Sequence, residues 1–476
     1  MTILGLGFAV LFGYFLLFRR EQFLFCVALA MTVPDSAFVV VTGIGVSPYY
    51  VSLILLAVLS AWSLVRPPKD DKFDYQNRWT PLALLSVCLV VYTLLLTLGA
   101  TSWFAGTPII SARISGTNEA GAVFTPLSYT DSNSAQLAYF ILNIGLVFYV
   151  ARSSQRESPL KMLAVGLGVG VALAVCVTAI ELLITYDVHA LFDTSPRNFY
   201  ATEISETRVR GQFSEPSHLA AYATAALAFM LSAMRGQRGI RLVGAILLTT
   251  LSAVCIVGSG AGTAAVALIP LAGLYVLGGV IRLISTWRLP AWLVVGTPAT
   301  LGIAILLFPS VLQMGTELVT TKLDSISYVI RAPQDANAWK VLGETNGLGV
   351  GLGSNRSSSL ALMMLSTIGI PGVVMLGILL VSIVYSASKA QRSRPTAWAL
   401  VAFVTCASIS VADFTSPVLW MAVAACYAVY KREHVSYPDG DSGLAPDPSM
   451  LRATRSVVLR AERGSLRTTS AVRGPS

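Results

Sequence analysis

Two short segments of the chain concentrate residues able to do chemistry. The first reads Arg208-Val209-Arg210-Gly211-Gln212-Phe213-Ser214-Glu215-Pro216-Ser217-His218-Leu219 and runs into an apolar stretch. Pro216 suits the edge of a helix and Ser217 its N-cap, so both have a structural purpose. The two arginines do not. Guanidinium groups beside a helix N-terminus, whose unpaired N–H groups carry partial positive charge, form a seat for phosphate or pyrophosphate. The second segment reads Asn346-Gly347-Leu348-Gly349-Val350-Gly351-Leu352-Gly353-Ser354-Asn355-Arg356-Ser357-Ser358-Ser359. Its alternate glycines serve close approach of backbone to a ligand, or a tight turn between helices. Arg356 stands just before a second helix, capped by serines. The spacing is not that of a Walker A loop, which requires Gly-Lys-Ser/Thr, nor that of a dinucleotide-binding turn in a βαβ unit.

The elements that must position these segments are apolar helices. Hydrophobic residues make up 55% of the chain and charged residues 12%, with a mean hydropathy of +0.70, whereas soluble domains carry about 25% charged residues. The apolar residues arrive in blocks of about 18 to 25, the length that crosses a hydrocarbon core. These features define an all-α, polytopic integral membrane protein with the lipid bilayer as its solvent. Cys26, Cys88, Cys176, Cys255, Cys406 and Cys426 all fall inside apolar blocks without a CxxC pair. That excludes a disulfide framework and a thiolate metal site. The net charge of +9 is not gathered with aromatic residues on a soluble face, so it does not point to nucleic acid.

Hydropathy places helices at 2–18, 22–45, 48–65, 80–99, 136–151, 162–185, 218–234, 242–257, 262–281, 291–308, 358–388, 396–412 and 416–430, about thirteen in all. Pro34 and Asp35 inside the second block predict a broken or re-entrant segment. Six short connections, from Arg19-Arg20 to 389–394, together carry 17 Lys and Arg and face the cytoplasm by the positive-inside rule. Three long polar connections, 100–135, 186–217 and 309–357, carry 8 and face outward. The first block has no basic region before it and ends in Arg19-Arg20, which predicts no cleavable signal and an outside N-terminus. Residues 1–432 then form the transmembrane domain. Residues 433–476, rich in Pro, Gly, Ser, Asp and Arg, read as a disordered cytoplasmic tail.

The Arg-x-x-Gly-x-Phe-x-Glu-Pro-Ser pattern at 208–217, the Gly-Val-Gly-Leu-Gly-Ser-Asn-Arg-Ser-Ser-Ser run at 349–359, and Gly369-Ile370-Pro371-Gly372 together resemble the O-antigen polymerase and ligase superfamily of bacterial envelopes. The resemblance spans the chain up to about Tyr430, although only the two longer segments are specific. It implies a GT-C-type glycosyltransferase of the bacterial inner membrane. Such an enzyme works on the periplasmic side with undecaprenyl-pyrophosphate-linked oligosaccharides, needs no metal or other cofactor, and has a chain-length regulator as partner. Ligases of the superfamily carry a histidine eleven residues before the glycine of the Gly-x-x-Gly turn. Here that position is Ser358. The chain therefore looks more like the polymerases that join repeat units of exopolysaccharide or O-antigen, and the general base is left unassigned by analogy.

If a lipid-linked glycan is transferred to a hydroxyl of another repeat, departing undecaprenyl pyrophosphate requires fixed cations. Arg208, Arg210 and Arg356 are the candidates, with Asn355 and Ser358 beside Arg356 completing the substrate-binding set. The attacking hydroxyl requires a proton acceptor within hydrogen-bond reach, for which Glu215 is first choice and His218 second. An Arg–Glu pair in one loop also reads as a structural ion pair, and His218 as a satisfied residue at a helix entrance. Asp413, Glu181, Lys322, Arg331 and Lys340 have ordinary explanations as interfacial or exposed charges, and His189 has no motif around it. Two alternatives stay open, an O-antigen ligase and a transporter or flippase. The absence of an internal repeat and the clustering of charge in outer connections favour the enzyme.

Overall fold

The computed structural model describes residues 1–41, 44–65, 80–110, 124–153, 158–184, 187–195, 208–235, 237–261, 266–268, 271–273 and 326–434. Residues Met1–Glu433 form one compact unit. The described helices are α1 (Ile3–Phe18), α2 (Phe23–Ala30), α3 (Pro48–Val65), α4 (Pro81–Trp103), α5 (Asp131–Ser153), α6 (Pro159–Ile184), α7 (Pro216–Ala233), α8 (Ile240–Gly258), α9 (Ile326–Glu344), α10 (Leu360–Thr367), α11 (Gly369–Lys389), α12 (Arg394–Ser410) and α13 (Pro417–His434). Two antiparallel hairpins join them, β1 (Val39–Val41) with β2 (Ile44–Val46), and β3 (Pro108–Ile110) with β4 (Phe124–Pro126).

Five of these helices, α4, α5, α6, α8 and α11, are long and apolar enough to cross a membrane. They carry apolar residues all round, as lipid on one side and protein on the other require. On α8, for example, Ile240, Val243, Leu247, Val254 and Val257 are exposed while Ser252 and Cys255 are buried. The centre belongs to α7 and α13. Nearly every residue of α13 from Pro417 to Tyr430 is buried, including Trp420 and Tyr427. Small residues on α7, such as Ala220, Ala221, Ala223 and Ala225, are fully covered, letting it lie closely against α12 and α8.

The ends of the helices follow local chemistry. Thr80 caps α4, its hydroxyl accepting from Ala83 N at 3.2 Å, with Pro81 at the first helical position. Ser359 caps α10 in the same way, accepting from Leu362 N at 3.4 Å. The entrance of α7 differs from the expectation. Pro216 is its first residue and Glu215 holds the cap position without a capping bond, whereas the Ser217 hydroxyl donates to Glu215 Oε2 at 3.0 Å.

Three other expectations change. The block at 22–45 is not a spanning helix, because α2 stops at Ala30 and the chain turns through Pro34-Asp35 into the first hairpin. The connection at 309–357 is not a loop throughout, since α9 occupies Ile326–Glu344 with Pro333 inside it. The helix expected over 358–388 is two helices, parted at Gly369, where φ is +65°. The helices expected at 262–281 and 291–308 fall largely outside the described residues, as does nearly all of the segment 433–476.

Candidate functional site

The site forms where the Pro34-Asp35 turn, the entrance of α7 and the turn between α12 and α13 meet. The Asp35 carboxylate reaches across the chain to residues 179 and 183 positions away. Its Oδ2 accepts from Ser214 N at 2.8 Å and from the Ser214 hydroxyl at 2.9 Å. His218 Nδ1 lies 3.2 Å from that hydroxyl and 3.4 Å from Asp35 Oδ2. With Ser214 donating to Asp35, the Nδ1–H of His218 faces both acceptors, and the tautomer follows from the network. Nε2 hydrogen-bonds to no described residue. Pro34, Asp35, Phe213, His218, Tyr222, Phe403 and Asp413 line a small cleft.

The two carboxylates of the cleft are held differently. Burial pushes the Asp35 carboxyl up, but the positive charge of His218 and the two Ser214 hydrogen bonds outweigh it and hold it below the ordinary carboxylate range. Asp413 uses Oδ1 to accept from Thr415 N at 2.9 Å and Thr415 Oγ1 at 2.7 Å. Burial pushes its carboxyl up, and here the partners do not cancel it.

The loop leading to α7 is fixed by side chains that the local pattern presents as functional. Arg210 is 6% exposed and grips Asp193 with both terminal nitrogens, at 2.8 and 2.6 Å, while donating to Phe213 O at 3.0 Å. Its guanidinium is therefore engaged with the loop and with Asp193. Gln212 Nε2 donates to Thr32 O at 2.9 Å and Gly170 O at 3.0 Å, tying the loop to the end of α2 and to α6.

Arg208 is exposed at the rim. Its Nε donates to Ser259 O at 3.0 Å, and partial desolvation together with the nearby charge of Arg331 lowers its pKa. Arg331, on α9, lies 3.7 Å from Glu215 Oε2. One helical turn further along α9, Asp335 accepts from Ser358 N at 2.9 Å and from the Ser358 hydroxyl at 2.6 Å. One helix thus joins the two segments that carry the arginines, at Glu215 and at Ser358. The Arg356 guanidinium makes no hydrogen bond or ion pair with a described residue, its backbone N–H donating to Ile110 O at 3.0 Å.

The glycines of the second segment serve packing. Gly349 and Gly351 have φ of +86° and +85°, a region that favours glycine. A Cβ on Gly349 would lie 2.6 Å from Thr367 O, and one on Gly351 would lie 2.6 Å from Thr97 Cα. Backbone therefore approaches backbone here, with Gly351 N donating to Thr367 O at 2.8 Å and Leu352 N to Thr97 Oγ1 at 3.1 Å. Asn355 belongs to the same framework. Its Oδ1 accepts from Ile110 N at 3.1 Å and Asn337 Nδ2 at 3.2 Å, and its Nδ2 donates to Ser366 Oγ at 3.1 Å. Ser358 is held by Asp335.

The structure thus brings Glu215, His218 and Arg208 to one helix entrance and adds Asp35 and Arg331, which sequence reasoning did not select. Asp35 carried a signal, being the single acid between Glu21 and Asp70, directly after a proline in an apolar block. Among the described residues no group of three or more His, Cys, Asp or Glu side chains could hold a metal ion. Comparison with protein-family models and with curated proteins finds no match for this chain.

Proposed function

We propose that this chain is a polysaccharide polymerase of the bacterial inner membrane, joining undecaprenyl-pyrophosphate-linked oligosaccharide repeats on the periplasmic face. The carrying observation is the bridge made by α9, which sets Arg331 against Glu215 beside Arg208 and holds Ser358 two residues from Arg356. Cations gathered over a helix N-terminus and next to a cleft containing an Asp–His pair suit a reaction whose leaving group is a lipid pyrophosphate. Arg208, Arg331 and Arg356 receive the pyrophosphate in this reading, and Arg210 shapes the loop that presents them.

The resemblance of segments 208–217 and 349–359 to the O-antigen polymerase and ligase superfamily supports the same class. Ser358 stands where ligases carry histidine, which favours repeat-to-repeat transfer over transfer to a different acceptor. The glycans of a deletion strain test the reading. A polymerase predicts single repeats on the lipid carrier where the parent makes long chains. Long lipid-linked polymer that never reaches its final acceptor would indicate a ligase, and repeats retained on the cytoplasmic face a transporter.

A further inference from the structure

The proton acceptor of such a transfer is the missing part, and three carboxylates surround the entrance of α7. Glu215 is engaged, its Oε2 accepting from Ser217 and facing Arg331. Asp35 is engaged as well, since Ser214 and His218 converge on its Oδ2. Asp413 is the one of the three that forms no ion pair among the described residues: Thr415 holds its Oδ1, Oδ2 accepts from no described residue, and the side chain lines the same cleft as His218.

The turn that carries Asp413 is braced on every side. Thr415 O accepts from the Tyr50 hydroxyl at 2.7 Å, Asn143 Nδ2 donates to that hydroxyl at 3.4 Å, and Tyr49 donates to Asn143 Oδ1 at 2.9 Å. Trp420 Nε1 donates to Phe414 O at 2.7 Å, and the Phe414 ring lies 5.5 Å from Phe140. A buried network of this kind fixes a carboxylate within a narrow range of positions. It is more than a connection between two helices requires.

We propose that Asp413 is the general base, its Oδ2 taking the proton of the attacking sugar hydroxyl. The inference rests on the polymerase reading. The hydroxyl oxygen forms the new bond to the anomeric carbon as the bond from that carbon to the pyrophosphate oxygen breaks. The bonding pair leaves with the lipid pyrophosphate, and the hydroxyl proton ends on Asp413. Burial makes this carboxylate a stronger proton acceptor than an exposed aspartate. His218, held at Nδ1 by Asp35 and Ser214, lines the same cleft.

The experiment uses the full chain in lipid nanodiscs with lipid-linked repeats extracted from a deletion strain. Wild-type protein that binds these repeats yet never lengthens them would remove the polymerase reading, and the base assignment with it. Given chain growth by the wild type, Asp413→Asn is expected to slow it about 100-fold or more, with binding of the repeats unchanged. Growth within about threefold of wild type overturns the assignment of Asp413 and leaves the polymerase reading intact. Should Asp413→Asn not be recovered folded, Asp413→Glu decides through the pH profile. The acid limb of chain growth is expected to move when this carboxylate is exchanged, and an unmoved limb overturns the proposal.

Discussion

The entrance of α7 and the glycine-rich segment before α10 look alike as sequence, each placing arginine and small polar residues before a helix, yet they pack differently. In the glycine-rich segment the space beside the backbone is filled by other backbone, with Thr367 and Thr97 against Gly349 and Gly351. At the entrance of α7 space remains, and side chains from three distant parts of the chain line it. Composition cannot separate the two cases, because a glycine permits close approach without specifying what approaches. What separates them is whether polar atoms are consumed. Asn355 and Arg210 have spent theirs on the protein, whereas Arg356 and one oxygen of Asp413 have not.

The comparison is broken most directly where packing is claimed. Arg210→Ala is expected to cost on the order of 3 kcal/mol by leaving the partly buried Asp193 without its cation, read as a large fall in unfolding temperature of the detergent-solubilised protein. An Arg210→Asp, Asp193→Arg exchange tests the same pair. Partial recovery of stability and chain growth supports a framework role, whereas recovered stability with no growth would return Arg210 to the substrate. Gly351→Ala is expected to cost on the order of 3 kcal/mol, from a left-handed φ combined with a clash against Thr97 backbone. Ser358→Ala removes a hydroxyl bonded to Asp335 and is expected to cost about 1 kcal/mol.

Asp35 offers the smallest effect and the sign is defined. Its carboxyl lies below the ordinary value of 3.8 in the folded protein. The stabilisation is therefore complete above that value and is lost as pH falls through the lowered one. Asp35→Asn should flatten the acid side of a stability–pH curve. A curve that stays steep at acid pH would show that other carboxylates carry the dependence.

Much of this was legible in the chain, and what was hidden has a physical reason. Spanning helices follow from apolar length alone, and the break in the second block follows from Pro34. The candidate site at residues 208–218 is marked by charge placed where a helix begins. Three kinds of contact are invisible to local pattern. Asp35 meets Ser214 and His218 from 179 and 183 positions away, Arg210 pairs with Asp193 from 17 positions away, and α9 lies inside what composition presents as a loop. Ser217 misleads for a subtler reason. It fits an N-cap by type, but Pro216 fixes the first helical position one residue earlier and leaves the cap to Glu215.

The central claim is that the cations at the entrance of α7 serve the reaction and not the fold. Reversing Arg208 and Arg331 together to glutamate in the chromosomal copy, followed by a gel of the cell's lipid-linked glycans, tests it. The account predicts single repeats only, with the variant present in the membrane at the parental level. Polymer of normal length from that strain would contradict it.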